Sequence, residues 1–210
     1  GREIFPGVYA KEDVEISPSV LIRPPVYIGQ FSKIENNANI LGPTVIGDSV
    51  YIDSEAKIQR SLIFSNTYIG KKTAIYSSII GSHCNIKNFT KIEDGTTIGD
   101  GTTIGERAFI NSGVKIWPNK IIETGTIVNT SIIWGSHFKR TLFGQRGISG
   151  KINIDITPEL ATKIGAAFGT ILPKSSYVVM SRDSRPACRM IKRAILTGIL
   201  SSGVNVFDIR

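Results

Sequence analysis

An isoleucine recurs about every six residues through the first two thirds of this chain of 210 residues. The stretch EDGTTIGDGTTIGERAFI at 93–110 shows the unit: a small side chain lies two positions before each isoleucine, and turn-forming residues follow it. A fixed short period of this kind decides the architecture of a whole segment. The repeated position is occupied by Ile16, Ile22, Ile28, Ile34, Ile40, Ile46, Ile52, Ile58, Phe64, Ile69, Ile75, Ile80, Ile86, Ile92, Ile98, Ile104, Ile110, Ile116, Ile122, Ile127 and Ile133.

The residue two positions before the repeated isoleucine is usually small or β-branched. Because side chains alternate along a strand, both positions are predicted to point to the same side of one short strand. A unit of six residues cannot bury that side by itself, so successive units are expected to stack around a continuous aliphatic core. The smaller residues are Val14, Val20, Val26, Ser32, Ala38, Thr44, Val50, Ala56, Cys84, Thr90, Thr96, Thr102, Ala108 and Val114.

Glycine often follows the repeated isoleucine, and we expect it at corners that need a positive φ. Three steps of the repeat are five residues long, at 64→69, 75→80 and 122→127, which predicts tightened corners there. No step exceeds six residues, so no long loop is expected to leave the stack. The glycines are Gly29, Gly47, Gly70, Gly81, Gly99 and Gly105, together with Asp-Gly pairs at 94–95 and 100–101.

With these units, residues 14–134 resemble the hexapeptide-repeat family, whose fold is a left-handed parallel β-helix of triangular section. Three units per turn imply six to seven coils at a spacing of about 4.8 Å. Many acyltransferases of this family extend a long loop over the substrate and use a histidine as general base. Here no such loop is expected, and His83 is predicted to lie exposed on a corner. Acyl transfer is therefore kept as an alternative function.

The six-residue period stops near residue 134, and helical and strand patterns replace it. Thr157 and Pro158 predict the start of a helix of about 15 residues. A strand at 177–180, a helix from Pro186 to about residue 202 and a strand at 204–209 are expected to form a parallel βαβ unit. The predicted buried face of the first helix consists of Leu160, Ile164, Phe168 and Leu172.

The loop SRDSR at 181–185 joins the predicted strand to the second helix. In βαβ units, ligands bind beyond the carboxyl ends of the strands, often at a helix N-terminus. Arg182, Asp183 and Arg185 are therefore candidate phosphate-binding residues. The alternative interpretation is that Asp183 and the arginines only hold the loop together.

The last third resembles the opening of the α-D-phosphohexomutases, through FGQRGISG at 143–150 and the helix and strand segments that follow in the same order. The resemblance implies a phosphate-binding role for Arg146 and Ser149. Ser149 stands where that family presents an arginine to the phosphorylated substrate, and the chain ends before the loop with the phosphorylated serine. A complete mutase site is therefore not expected. The predicted domains are a β-helix with an N-terminal linker at 1–140 and the first βαβ portion of a mutase-like domain at 141–210.

Composition excludes several classes of function. The net charge of +8 comes from scattered lysines and arginines, so nucleic-acid binding is not expected. No apolar run reaches the roughly 20 residues of a membrane span, and no signal peptide is recognisable, which favours a cytoplasmic protein. Cys84 and Cys188 lie far apart, so neither a zinc site nor a disulfide framework is predicted.

The order of the two segments is similar to the middle of the long mannose-1-phosphate guanylyltransferases. The resemblance implies a nucleotidyltransferase domain upstream and the remaining mutase-like domains downstream, as partners of this chain. It also implies that the parent enzyme uses Mg²⁺, GTP and mannose 1-phosphate to make GDP-mannose and pyrophosphate. No catalytic residue, cofactor or metal is assigned to this chain, which is predicted to be a non-catalytic fragment.

A third class of function is purely structural association. A long prism with flat faces suits a homo-oligomer formed through the β-helix, as a dimer or a trimer. Trp117 and Trp134 each follow a residue of the isoleucine register and are candidate interface anchors. The alternative is that both tryptophans pack against the linker at 141–156.

Overall fold

The computed structural model describes residues 1–133, 137–138, 142–144, 147–173 and 175–209. Its contacts divide the chain into two compact units, Gly1–Leu142 and Phe143–Arg210. The predicted Trp134 and Arg146 lie outside the described residues.

The first unit is a parallel β-helix of about seven coils, which confirms the predicted left-handed hexapeptide-repeat fold. Its short strands form three sheets, and each sheet is one face of the prism. Face A contains Arg2–Phe5, Val8–Ala10, Val26–Ile28, Thr44–Ile46, Leu62–Ile63, Ile79–Ile80, Thr97–Ile98 and Lys115–Ile116. Face B contains Glu15–Ile16, Lys33–Ile34, Tyr51–Ile52, Tyr68–Ile69, Asn85–Ile86, Thr103–Ile104, Ile121–Ile122 and His137–Phe138. Face C contains Leu21–Arg23, Asn39–Leu41, Lys57–Gln59, Ala74–Tyr76, Lys91–Ile92, Phe109–Ile110 and Ile127–Val128.

Neighbouring strands of a face pair in parallel, apart from Arg2–Phe5, which is antiparallel to Val8–Ala10. The core is the predicted column of isoleucines, with the smaller residues two positions before them. Buried hydroxyls in the smaller set donate to carbonyls one coil later. Thr67 Oγ1 donates to Gly81 O at 2.9 Å, and Thr90 Oγ1 donates to Gly105 O at 3.1 Å. These bonds explain how threonine is tolerated inside an aliphatic core, since a buried hydroxyl without a partner is costly.

The register prediction is wrong where two bulky apolar residues are adjacent. Phe64 was expected to point inward, but Ile63 is 0% exposed and Phe64 is 45% exposed. Ile63 pairs with Ile46 in the preceding coil and with Ile80 in the following coil. The stacking of coils therefore selects Ile63, because a shift of one residue would turn the inner side chains of the strand outward.

The same correction applies to the last coils, where Val128 and Ile132 are buried instead of Ile127 and Ile133. The predicted five-residue step at 75→80 is confirmed. The other two predicted steps are wrong: a five-residue step lies at 58→63 and a four-residue step at 128→132.

The prediction that glycines directly after the isoleucines need positive φ is also wrong. Gly105 has no positive φ, and an added Cβ would lie 2.5 Å from the backbone nitrogen of Thr124 in the next coil. Glycine is required at this corner because the backbone of the next coil lies where the side chain would begin. Positive φ occurs two positions further on, as at His83, Phe89 and Gly95. Both glycines of the predicted Asp-Gly corners, Gly95 and Gly101, do have the expected positive φ.

The second unit contains helix α1 (Pro158–Ile171), strand Tyr177–Met180, helix α2 (Pro186–Ser201) and strand Asn205–Asp208. The two strands pair in parallel, which confirms the βαβ prediction. Thr157 is the N-cap of α1, as predicted, and its hydroxyl accepts the backbone N–H of Leu160 at 3.3 Å. Neither described helix is long and apolar enough to cross a membrane.

The predicted buried face of α1 is wrong by one position. Ala161, Gly165 and Gly169 are its buried residues, while Phe168 is exposed. A Cβ on Gly165 would collide with the carbonyl oxygen of Ile195 in α2. The two helices pack backbone to backbone, so small residues occupy the contact. The larger side chains of the predicted face lie beside this contact.

Candidate functional site

The loop before α2 brings Arg182, Asp183 and Arg185 together, at the place where the sequence predicted an anion site. The Asp183 carboxylate accepts the backbone N–H of Arg185 at 3.1 Å, and its other oxygen lies 3.2 Å from Arg185 Nε. The Arg182 guanidinium donates to the carbonyl oxygen of Asp183 at 2.7 Å. All three contacts join members of the predicted set to one another.

A hydrogen bond connects Asp183 to Cys188 in the first turn of α2. This bond, followed by the backbone N–H of Arg185, lowers the pKa of the Asp183 carboxyl below its ordinary value. The same bond raises the pKa of the Cys188 thiol. Cys188 is thus held as the protonated donor, and it is a poor nucleophile because nucleophilic attack requires the thiolate.

The Asp183 carboxylate lies at the N-terminus of α2, where an anion would be favoured by the helix dipole. These contacts are the ones expected under the alternative interpretation, in which the residues only hold the loop together. Both side chains of the Arg185–Asp183 pair are solvent-accessible, so water and salt screen the pair and it adds little to stability. Anion binding by Arg182 and Arg185 stays a prediction.

Gly144 and Gly147 form a tight backbone bridge. The N–H of Gly144 donates to Gly147 O at 2.9 Å, and the N–H of Gly147 donates back to Gly144 O at 3.1 Å. Gly147 has a φ of 83°, which a residue with a side chain rarely adopts. Ser149 follows this bridge and is exposed.

Sequence reasoning missed a buried lysine in α2. Lys192 is 6% exposed, and its ammonium group contacts the carboxylate of Asp208 and donates to Ile209 O at 2.9 Å. The contacts tie α2 to the end of the second strand. A lysine within an amphipathic helix pattern gives no signal that distinguishes it from a surface residue.

The predicted interface residue Trp117 is 53% exposed. Its backbone continues the coil stacking, since its N–H donates to Ile132 O at 2.9 Å. The indole therefore lies on the outside of the prism, directly after inward-facing Ile116.

The outward-facing positions on the three faces differ in chemistry. Face B carries the stacked rings of Tyr51 and Tyr68, whose centroids are 5.6 Å apart. Their hydroxyls donate to Glu35 and Asp53, respectively. Burial is the largest cause of the raised pKa of each phenol, and hydrogen bonding to the carboxylate adds to it. On face B both hydroxyls are therefore committed to structural contacts.

Face C carries a lysine between two aromatic rings: Lys91 pairs with Glu93 at 2.6 Å and lies near the rings of Tyr76 and Phe109. The outward row of face A is instead uncharged over six successive coils. It consists of Tyr9, Tyr27, Val45, Leu62, Ile79 and Thr97, which pair in register from strand to strand. This row was missed in the sequence, although each member directly precedes an inward residue.

His83, the histidine considered for acyl transfer, is exposed on a corner as predicted. Its backbone N–H donates to Ser65 O at 3.0 Å, and its φ is 56°. Within the part of the chain that the structure describes, no group of three or more His, Cys, Asp or Glu side chains could hold a metal ion.

Comparison with known families concerns both units. The family model of the GMPPB C-terminal domain matches residues 22–133, which is more than half of the chain. The chain belongs to the family of the GMPPB C-terminal domain. Residues 140–210 match a second model, the α/β/α domain I of phosphoglucomutase/phosphomannomutase. This chain of the GMPPB C-terminal family thus also carries a mutase-type domain.

Curated relatives match the second segment. The phosphoglucomutase/phosphomannomutase of Thermococcus kodakarensis is 46% identical over 72 residues, which are 32% of this chain and 16% of that protein. A probable phosphoglucosamine mutase of Pyrococcus abyssi is 46% identical over 67 residues, or 32% of this chain and 15% of that protein. The chain therefore spans 15–16% of the length of these relatives.

Among solved structures, the UDP-N-acetylglucosamine acyltransferase of Francisella novicida has a TM-score of 0.46 and 14% identity, covering 95% of this chain and 92% of that chain. The UDP-N-acetylglucosamine O-acyltransferase of Moraxella catarrhalis has a TM-score of 0.39 and 14% identity, covering 60% of this chain and 67% of that chain. At these scores, nothing about activity follows from either likeness.

Proposed function

We propose that this chain is the non-catalytic, self-associating part of a mannose-1-phosphate guanylyltransferase. The observation that carries the proposal is the succession of the two family matches, residues 22–133 to the GMPPB C-terminal domain and residues 140–210 to mutase domain I. That succession agrees with the order of segments in the long guanylyltransferases.

In this proposal the chemistry belongs to a preceding nucleotidyltransferase domain in the cytoplasm. That domain would bind Mg²⁺, GTP and mannose 1-phosphate and would produce GDP-mannose and pyrophosphate. The described residues of this chain supply no cluster of carboxylates for the metal. The β-helix would contribute a rigid support through which two copies of the enzyme associate.

The mutase-like segment is proposed to be a structural or regulatory appendage. Ser149 supplies no fixed positive charge for a sugar phosphate, and Asp183 places a negative charge beside Arg182 and Arg185. A substrate phosphate would therefore meet a partly neutralised loop. Little or no mutase turnover is expected from this segment.

The first experiment measures pyrophosphate release from GTP, Mg²⁺ and mannose 1-phosphate by the 210-residue chain. The expected rate equals that of a reaction without protein. The second experiment reads the gene on both sides of the segment and expresses its full product. A glycine-rich nucleotidyltransferase loop upstream and formation of GDP-mannose are expected. Turnover by the 210-residue chain, or a full product without activity towards GTP, would contradict the proposal.

A further inference from the structure

Face A carries an apolar row that runs along the prism axis. Tyr9, Tyr27, Val45, Leu62 and Ile79 occupy the same outward position in five successive coils, and Thr97 continues the row. Tyr9, Val45 and Ile79 are each exposed over 44–45% of their surface. Charged residues flank the row at both ends, Glu3 beside Tyr9 and Lys115 beside Thr97. Contiguous exposed apolar surface of this kind is typical of a binding interface.

The corner beside this row is nearly bare of side chains. Three residues of this corner lie in successive coils: Gly47, Phe64 and Gly81. Two hydrogen bonds show the stacking, since Gly47 N–H donates to Ile63 O and Phe64 N–H donates to Ile80 O. Phe64 is 45% exposed between these two glycines. One aromatic ring therefore projects from a low ridge, with space on either side for an opposing side chain.

The row is self-complementary under a two-fold rotation through Val45. The rotation reverses the order of the coils, so Tyr9 of one copy faces Ile79 of the other and Tyr27 faces Leu62. Each aromatic side chain then meets an aliphatic one, and Val45 meets its own equivalent. No like charges oppose each other, although the chain carries a net charge of +8. Such a patch, matched to itself, is the requirement for an isologous dimer.

The size of the row fits a weakly associating dimer. Six coils about 4.8 Å apart extend for about 24 Å, and one six-residue unit spans about 20 Å. Two copies would therefore bury on the order of 1,000 Å² in total, near the lower end for specific interfaces. Weak, reversible association is expected for an interface at this end of the size range.

We propose that face A is the surface through which two copies of this chain dimerise, with the two-fold axis near Val45 and with Phe64 seated beside it. The inference rests on the association part of the proposed function and specifies its surface. The partner is a second copy of the same chain.

The test compares two isoleucine variants in the full 210-residue chain. Ile79→Asp places a carboxylate in the row on face A, whereas Ile127→Asp places one on face C at an outward position that is 62% exposed. Sedimentation velocity between about 1 and 200 µM gives the dissociation constant. Ile79→Asp is expected to raise it at least tenfold, and Ile127→Asp less than twofold. Circular dichroism checks that both variants keep the β-helix.

A second measurement tests the axis. Val45→Cys places two thiols opposite each other across the proposed two-fold axis. The variant is made in a Cys188→Ser background, so that the remaining native cysteine is Cys84, which is buried and does not compete. Mild oxidation should crosslink most of the protein into dimers, whereas Asn85→Cys on face B in the same background should give little. If the wild type dimerises but Ile79→Asp does not weaken the dimer, face A is the wrong surface and association stands. A wild type that is monomeric at 200 µM overturns both the proposal that face A is a dimer surface and the proposed association. The guanylyltransferase assignment is decided separately, by the gene and the activity of its product.

Discussion

The adjacent residues Ile63 and Phe64 provide a sharp test of the stacking of coils. The sequence favours Phe64 as the inner residue, whereas the structure buries Ile63 completely and leaves Phe64 45% exposed. Truncating a fully buried isoleucine to alanine costs about 2–5 kcal/mol, from lost burial and from the cavity that remains. We therefore expect Ile63→Ala to lower the free energy of unfolding by about 3–4 kcal/mol. Phe64→Ala should lower it by about 1 kcal/mol, because the ring is only partly buried.

The assay is urea unfolding followed by circular dichroism at a β-sheet wavelength. With a slope of about 2 kcal/mol per molar urea, Ile63→Ala should shift the midpoint down by about 1.5–2 M and Phe64→Ala by about 0.5 M. The protein is kept below 1 µM, so that a change in dimer formation at face A does not contribute. Equal shifts, or a larger shift for Phe64→Ala, would show that the register assigned to this coil is wrong.

Three further predictions follow from the corners and the loop before α2. Gly105→Ala should lower the urea midpoint more than Gly113→Ala. The new Cβ at residue 105 would lie 2.5 Å from the Thr124 backbone, whereas Gly113 has nothing within 4 Å and only an unfavourable φ of 72°. A larger shift for Gly113→Ala would refute the steric argument. The lowered pKa of Asp183 implies stabilisation that is present above the ordinary carboxyl pKa and lost as pH falls through the folded value. Asp183→Asn should remove that acid-side loss from thermal melts recorded at 222 nm, and an unchanged pH profile would count against it. Calorimetric titration with acetyl-CoA should detect no binding to the wild type; binding that His83→Ala abolishes would restore acyl transfer as a function.

The candidate site shows how far local patterns extend. The order of strand, loop and helix around residues 177–201 was sufficient to predict that Arg182, Asp183 and Arg185 lie together. The sequence left open whether these residues bind an anion or one another. Only the structure gave the contacts of Asp183 with Arg185 and Cys188, because they depend on the exact path of five residues entering a helix.

The sequence by itself determined the β-helix, the N-cap at Thr157 and the parallel strand pair of the second unit. These features depend on a short period and on residues a few positions apart, which can be counted directly. The tertiary structure decided which of two adjacent apolar residues points inward at 63–64, and why glycine is required at Gly105. It also decided that α1 buries Ala161, Gly165 and Gly169 instead of the larger apolar side chains one position before them. Each of these choices depends on a coil or helix that is remote in the sequence and packs within a few ångströms, so the local pattern carries no record of it.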